Sequence, residues 1–284
     1  MRTILIIILS VTVGFLLDHY RHILTKPPTS ITPIPVIIIE EEEPERHIQV
    51  LPDIAYTDSE NPKHNLDIYQ PIENNTPVVI FIHGGAWNEG DSNHYGFLGQ
   101  FFAQNNITFV SPSYRLTNEV QCDGEVQDVI KAIQWTQHNI KNYGGDPNKI
   151  YLMGHSSGAH LISLITVKNQ VDNIQGVICL SGVYKIGWTF QLSGVIAQAF
   201  QGLDREKYSP INYVHQGLPP FLIFYAEHDL TTLPSQSKKF HQALRNKSCN
   251  SELNMVDGED HKTEIINLVL PKAKSGQRIV DFVK

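Results

Sequence analysis

Three side chains in this sequence have the types and the order that acyl transfer needs. They are a serine at a glycine-flanked turn, a carboxylate after a later apolar run, and a histidine after the last one. The serine is Ser156, in Lys149-Ile-Tyr-Leu-Met-Gly-His-Ser-Ser-Gly-Ala-His160. An apolar run leads into Gly154-His155-Ser156-Ser157-Gly158, and a helix-compatible stretch from Ala159 to Val167 leaves it. That pattern predicts strand, sharp turn and helix with Ser156 at the apex, its hydroxyl pushed out above a helix N-terminus. A serine hydroxyl is a poor nucleophile until a base takes its proton.

Position selects the base among thirteen histidines. His261 follows the apolar run that ends at Val256 and precedes the apolar helical stretch Ile265–Leu270, so it belongs to a loop at a strand's carboxyl end. The carboxylate is read as Asp229, just past the run Phe221–Ala226, with Glu227, Asp204, Asp257 and Asp260 as rival acids. His155 and His228 read as flanking residues. The resulting chain order, Ser156, Asp229, His261, is that of an α/β-hydrolase triad. Donors for a developing oxyanion are expected from the backbone N–H groups of Gly85, Ala86 and Ser157. Gly84 helps to form that turn and is a further candidate donor, and His83 holds the loop. Trp87 and Trp188 are assigned to the substrate pocket, although Trp87 reads equally well as core.

The elements that must position these groups can be read as an alternation. Apolar runs at Asn65–Tyr69, Pro77–Ile82, Ile107–Val110, a run beginning at Ile150, Gln175–Ser181, Phe221–Ala226 and Ser251–Val256 are strands. Helical periodicity covers Asp123 to Asn142, the stretch after Ser156, about Ser235 to Arg245, and Gln277–Val283. Gly144-Gly145-Asp146-Pro147 ends the first of these and turns the chain. The expected fold class is α/β, a mostly parallel, doubly wound sheet with helices on both faces. In such sheets ligands sit at the carboxyl ends of the strands. The aromatic, glycine-containing stretch at about 185–215 interrupts the alternation and is read as a small cap insertion.

Several function classes are excluded or disfavoured. The net charge is -7, with no basic stripe, which argues against a nucleic-acid surface. Cys122, Cys179 and Cys249 do not form a disulfide framework, and the pair considered for a single bridge is Cys122 with Cys249. No His/Cys spacing suits zinc, so no metal and no cofactor are expected. Residues 1–22 form a hydrophobic signal or anchor segment whose apolar run, Thr3–Leu17, is short for a spanning helix and lacks a cleavage-site pattern. Residues 23–46 are a Pro-rich, acidic linker, and 47–284 are the catalytic domain. The expected location is therefore membrane-anchored or exported, with a membrane tether through residues 3–17.

The ordered motifs His83-Gly-Gly-Ala-Trp87, Ser113-Tyr-Arg-Leu116, Tyr143-Gly-Gly-Asp-Pro147, Gly154-His-Ser-Ser-Gly-Ala-His160 and Leu180-Ser-Gly-Val-Tyr184 resemble the α/β-hydrolase superfamily. Within it they resemble the carboxylesterase branch related to hormone-sensitive lipase, feruloyl esterases, isoprenylcysteine methylesterases and kynurenine formamidases. The resemblance runs from about Leu66 to the C-terminus. Ala86 stands where a third glycine is found in the fuller His-Gly-Gly-Gly form, and Ser157 where alanine is common. The resemblance implies hydrolysis of a small-molecule carboxylic ester through an acyl-enzyme on Ser156. An arylformamidase-type amide hydrolase would use the same triad. A non-catalytic binding domain on this scaffold would be expected to lack a triad member.

Overall fold

The structure, a computed structural model, describes residues 48–187 and 194–284, all of one compact unit. The segments assigned to the anchor and the linker, and Trp188, lie outside the described residues.

Eight strands make one sheet in the order β1-β2-β4-β3-β5-β6-β7-β8. In chain order they are β1 (Gln49–Ala55), β2 (Asn65–Gln70), β3 (Thr76–Ile82), β4 (Thr108–Pro112), β5 (Gly145–His155), β6 (Ile174–Leu180), β7 (Phe221–His228) and β8 (Ser251–Asp260). β1 and β2 are antiparallel to their neighbours, and β4, β3, β5, β6, β7 and β8 run parallel. The central strands read as unbroken apolar runs because both of their faces are covered. Along β3, Val78, Ile80 and Ile82 pack into one core while Val79 and Phe81 pack into the other.

The helices are α1 (Gly96–Gln104), α2 (Cys122–Asn139), α3 (Ser157–Val167), α4 (Gly194–Ala199), α5 (Leu233–Asn246), α6 (Thr263–Ile266) and α7 (Lys274–Val283). Buried residues of α2, α3 and α5 share the core of Ile80, and those of α1, α6 and α7 share the core of Phe81. Every residue of α3 is buried, which is why its sequence is apolar all round rather than striped. Arg115, just past β4, forms a two-point ion pair with Asp128 of α2 at 2.7 and 2.8 Å, tying the strand end to the helix behind it.

The structure departs from the sequence-based expectations in three places. β1 was not expected: its edge position leaves it largely exposed, and Pro52 and Asp53 lie at an irregularity in its pairing with β2, so it lacks an apolar signature. α1 was also not expected, its pattern being blurred by Gly96 and Gly99. β5 starts at Gly145, paired with Thr76 of β3, so the turn is carried by Gly144 in a left-handed conformation and not by the whole Gly-Gly-Asp-Pro stretch. Cys122, Cys179 and Cys249 are all free, buried thiols, so the Cys122–Cys249 bridge does not form. Among the described residues, the insertion between β6 and β7 contains α4 and two short 3-10 turns, Arg205–Tyr208 and Pro210–Tyr213. Among the described residues no helix is long and apolar enough to cross a membrane.

Candidate active site

The turn between β5 and α3 holds Ser156 at φ 53 and ψ -117. A side chain in that region is strained, and the strain is retained because the elements on both sides over-determine the turn. Gly154 and Gly158 make the turn this tight. A β-carbon on Gly154 would sit 2.7 Å from the backbone nitrogen of Ala159, and one on Gly158 would sit 2.0 Å from the carbonyl oxygen of Ile82.

β7 and β8 deliver the two partners. His261 Nε2 lies 2.9 Å from Ser156 Oγ, and His261 Nδ1 lies 2.7 Å from Asp229 Oδ1. Asp229, being ionised, accepts the Nδ1 hydrogen, which leaves Nε2 free to accept the serine proton. Asp229 also accepts from Leu230 N at 2.8 Å and from Ser181 Oγ at 2.6 Å. Burial alone would raise the Asp229 carboxyl, but the hydrogen bonds from His261, Ser181 and Leu230 outweigh it and hold the group below the usual aspartate value.

The rival acids are occupied elsewhere. Asp260 is exposed and accepts from the backbone N–H groups of Lys262 and Thr263. Glu227 accepts from Gly258 N, and Asp204 from Glu206 N. Asp257 is exposed.

The loop after β3 reaches the serine from the other side. A β-carbon on Gly84 would lie 3.1 Å from Ser156 Cβ, so the loop passes directly beside the nucleophile position. Gly85, Ala86 and Trp87 all have positive φ, at 130, 52 and 61. Among the described residues, the N–H groups of Gly85, Ala86 and Ser157 have no protein acceptor, as free oxyanion donors would require.

Neutral histidines hold this frame. His83 donates from Nδ1 to Gly84 O at 2.9 Å, and Tyr114 donates its hydroxyl to His83 O at 2.8 Å. His155 donates from Nε2 to His261 O at 2.8 Å and packs on the His261 ring at 4.7 Å. Burial depresses His83 to about 4. Burial, with His261 adding to it, depresses His155 to about 3. Both are therefore uncharged near neutral pH. His155 is more than a flanking residue: it fixes the backbone of the loop that carries His261.

Trp87 is core and not pocket wall. It is 1% exposed, donates from Nε1 to His160 Nδ1 at 3.2 Å, and meets Phe200 edge-on at 5.1 Å. Sequence reasoning also passed over Ser181 and Glu264. Ser181 sits inside the quoted Leu-Ser-Gly-Val-Tyr motif, and Glu264 lies three residues after His261, but neither spacing identifies a partner.

Comparison with known proteins bears on this arrangement. Residues 66–199 match the BD-FAE family model. The isoprenylcysteine alpha-carbonyl methylesterase of Arabidopsis thaliana is 30% identical over 243 residues, covering 75% of this chain and 56% of that protein. Esterase LipQ of Mycobacterium tuberculosis is 30% identical over 193 residues, covering 60% of this chain and 46% of that protein. The crystal structure of an inhibited esterase B from Lactobacillus rhamnosis superposes with a TM-score of 0.73 at 21% identity, covering 86% of this chain and 89% of that one. The fold is that of the α/β-hydrolases. The chain spans little more than half the length of the methylesterases it matches, 56% and 55% for two from Arabidopsis thaliana. The BD-FAE match begins at β2 and ends with α4, so it takes in the β3 loop and Ser156, while Asp229 and His261 lie beyond it.

Proposed function

We propose that this α/β-hydrolase is a serine carboxylesterase that cleaves small-to-medium acyl or aryl esters through an acyl-enzyme on Ser156. The observation that carries the reading is the unbroken hydrogen-bonded line from Ser156 Oγ through His261 to Asp229, beside a loop with free backbone donors. The esterase names of its relatives support the same reading.

In this mechanism His261 Nε2 takes the Ser156 proton as Oγ attacks the ester carbonyl. The negative oxygen of the tetrahedral intermediate is met by N–H groups of Gly85, Ala86 and Ser157, each worth about 3 kcal/mol in the transition state. His261 then gives its proton to the departing alcohol oxygen. Water, deprotonated by His261, attacks the acyl-Ser156, and the acid leaves as the serine proton returns. Asp229 accepts from Nδ1 throughout and stabilises the imidazolium. None of these steps requires a cofactor.

Residues 3–17 serve, in the same reading, as an uncleaved anchor or export signal. The support is their apolar run behind Arg2. Fractionation of cells making the full chain tests it: recovery in the soluble cytoplasmic fraction would sink that part.

The test of the activity is hydrolysis of a p-nitrophenyl acyl series by the full chain and by Ser156→Ala. The expected result is release of p-nitrophenol by the first and a loss of at least about 10³-fold in the second. Equal rates in the two proteins would remove Ser156 from the chemistry.

A further inference from the structure

Next to the triad acid lies a second acid. Glu264 is in the first turn of α6, three residues after His261, and is 1% exposed. Its Oε2 is hydrogen-bonded to the hydroxyl of Ser181, and that same hydroxyl lies 2.6 Å from Asp229 Oδ2. One hydroxyl thus bridges two carboxyl groups that come from different strand ends.

Counting hydrogens decides the state of the bridge. A serine hydroxyl has one hydrogen and two lone pairs. Asp229 is the ionised partner of His261, so its Oδ2 accepts, and the Ser181 hydrogen points there. The contact between Ser181 Oγ and Glu264 Oε2 would then be oxygen against oxygen with no hydrogen between them, unless Glu264 supplies one. One arrangement supplies a hydrogen to both contacts of the bridge: the Glu264 O–H donates to Ser181 Oγ and the Ser181 O–H donates to Asp229, while Glu264 Oε1 is buried without a hydrogen-bond partner among the described residues.

We propose that Glu264 is held as a neutral carboxylic acid and acts, through Ser181, as a positioning residue that fixes Asp229 behind His261. The proposal rests on the triad reading above. The environment agrees with it: burial, with Asp229 and Glu259 adding to it, pushes the Glu264 carboxyl up to about 8. The other titratable groups near it are His261 on the loop after β8 and Tyr184 beyond β6, whose own titration is raised first by burial, with Cys179 and Glu264 adding to it. Glu264 also lines a cavity of about 680 Å³, across which lie Asp257, Lys272, Lys274, Arg278 and Asp281. That cavity is a route by which the proton can leave to solvent. Once it has left, Glu264 can no longer donate, Ser181 is contested by two anions, and Asp229 loses its third hydrogen bond.

The test uses the full chain and compares wild type with Glu264→Gln, Glu264→Ala and Ser181→Ala over pH 6 to 10, reading kcat and KM separately on a p-nitrophenyl ester. Gln keeps a donor without a titrating proton. Glu264→Gln is expected to hold kcat within about threefold of wild type at neutral pH and to lack the fall in kcat that wild type shows above about pH 8. Glu264→Ala and Ser181→Ala are expected to lower kcat about tenfold with KM within about twofold. A Gln variant as damaged as the Ala variant, an Ala variant with wild-type kcat, or an alkaline fall unchanged in the Gln variant would each overturn the proposal.

A second measurement does not depend on activity or on the variants' folding: carbon NMR of the wild-type chain labelled at glutamate carboxyls. Glu264 is assigned as the resonance lost in Glu264→Gln, and it should be protonated at pH 7. An ionised resonance there would overturn the proposal even if the protein hydrolyses no ester. Ser156→Ala separates the two failures, since it removes esterase activity only if the triad reading holds and leaves the Glu264 resonance protonated in either case.

Discussion

The carbonyl oxygen of Ile82 lies where it would be 2.0 Å from a β-carbon on Gly158, so the end of β3 and the first turn of α3 are in direct backbone contact. This contact sets the loop that starts at His83 beside Ser156, which immediately precedes α3. Neither partner is a flexible side chain tip, so neither can give way cheaply. Gly158→Ala is expected to lower stability by at least about 2 kcal/mol and to reduce esterase activity in whatever protein still folds. Thermal or denaturant unfolding checks the first, and kcat on a p-nitrophenyl ester the second. A variant with an unchanged midpoint would mean the two backbones are not packed as described.

Gly85 gives a related prediction that separates binding from catalysis. Its φ of 130 is open to glycine and strained for other residues, and a β-carbon there would lie 2.0 Å from Glu89 O. Gly85→Ala should twist the donor loop away from the carbonyl oxygen. The expected cost is about 10²- to 10³-fold in kcat with little change in KM, the size found when an oxyanion donor is lost. An equal rise in KM with kcat preserved would show that the loop binds substrate without stabilising the intermediate.

Trp87 can be tested as a structural residue. His160 donates from Nε2 to Tyr208 O at 2.7 Å, so its Nδ1 must be the acceptor for the Trp87 indole N–H at 3.2 Å. Burial depresses His160 to about 4, so the ring has no second proton with which to compensate. Trp87→Phe leaves Nδ1 buried without a donor and is expected to cost about 1–3 kcal/mol of stability. Unfolding midpoints give the answer, and acyl-chain preference should be unchanged if Trp87 does not line the pocket.

The two buried acids give stability opposite dependences on pH. Glu264 keeps its proton in the folded state up to about 8, while the unfolded chain releases it near 4.5. The folded state therefore binds more protons across that window, and stability falls as pH rises through it, by at most about 1.4 kcal/mol per pH unit. The contribution is fully present below the unfolded value and is lost as pH passes the folded one. Asp229 behaves the other way: its folded value is depressed, so its contribution is present above the ordinary aspartate value and lost as pH falls through the depressed one. Glu264→Gln should remove only the first effect. The melting temperature of Glu264→Gln minus that of wild type should therefore increase from pH 5 to pH 8. A difference that stays constant over this range would contradict a raised Glu264.

Much of this was written in local patterns. The buried strands were legible because both faces of a central strand must be apolar, and the turn at Ser156 because only small flanking residues let a strand reverse into a helix so tightly. Ser156, Asp229 and His261 could be singled out because chemistry at a parallel sheet is confined to the carboxyl ends of its strands. β1 escaped because an exposed edge strand with a proline in it has no apolar alternation to detect. α1 escaped because its glycines and aromatics obscure the helical period.

The sequence by itself determined the chain order of the chemical parts: a serine at a sharp turn, then an acid, then a histidine, each at the end of an apolar run. Only the tertiary structure decided which side chains face one another. It set Asp229 against His261 Nδ1, buried Trp87 in the core, and put Ser181 between Asp229 and Glu264. The physical reason is that hydrogen bonds join atoms across residues 32, 48 and 83 positions apart in the chain. Periodicity and turn chemistry act over a few residues. Contacts at such separations depend on how the sheet registers its strands, and that register is a property of the packed molecule.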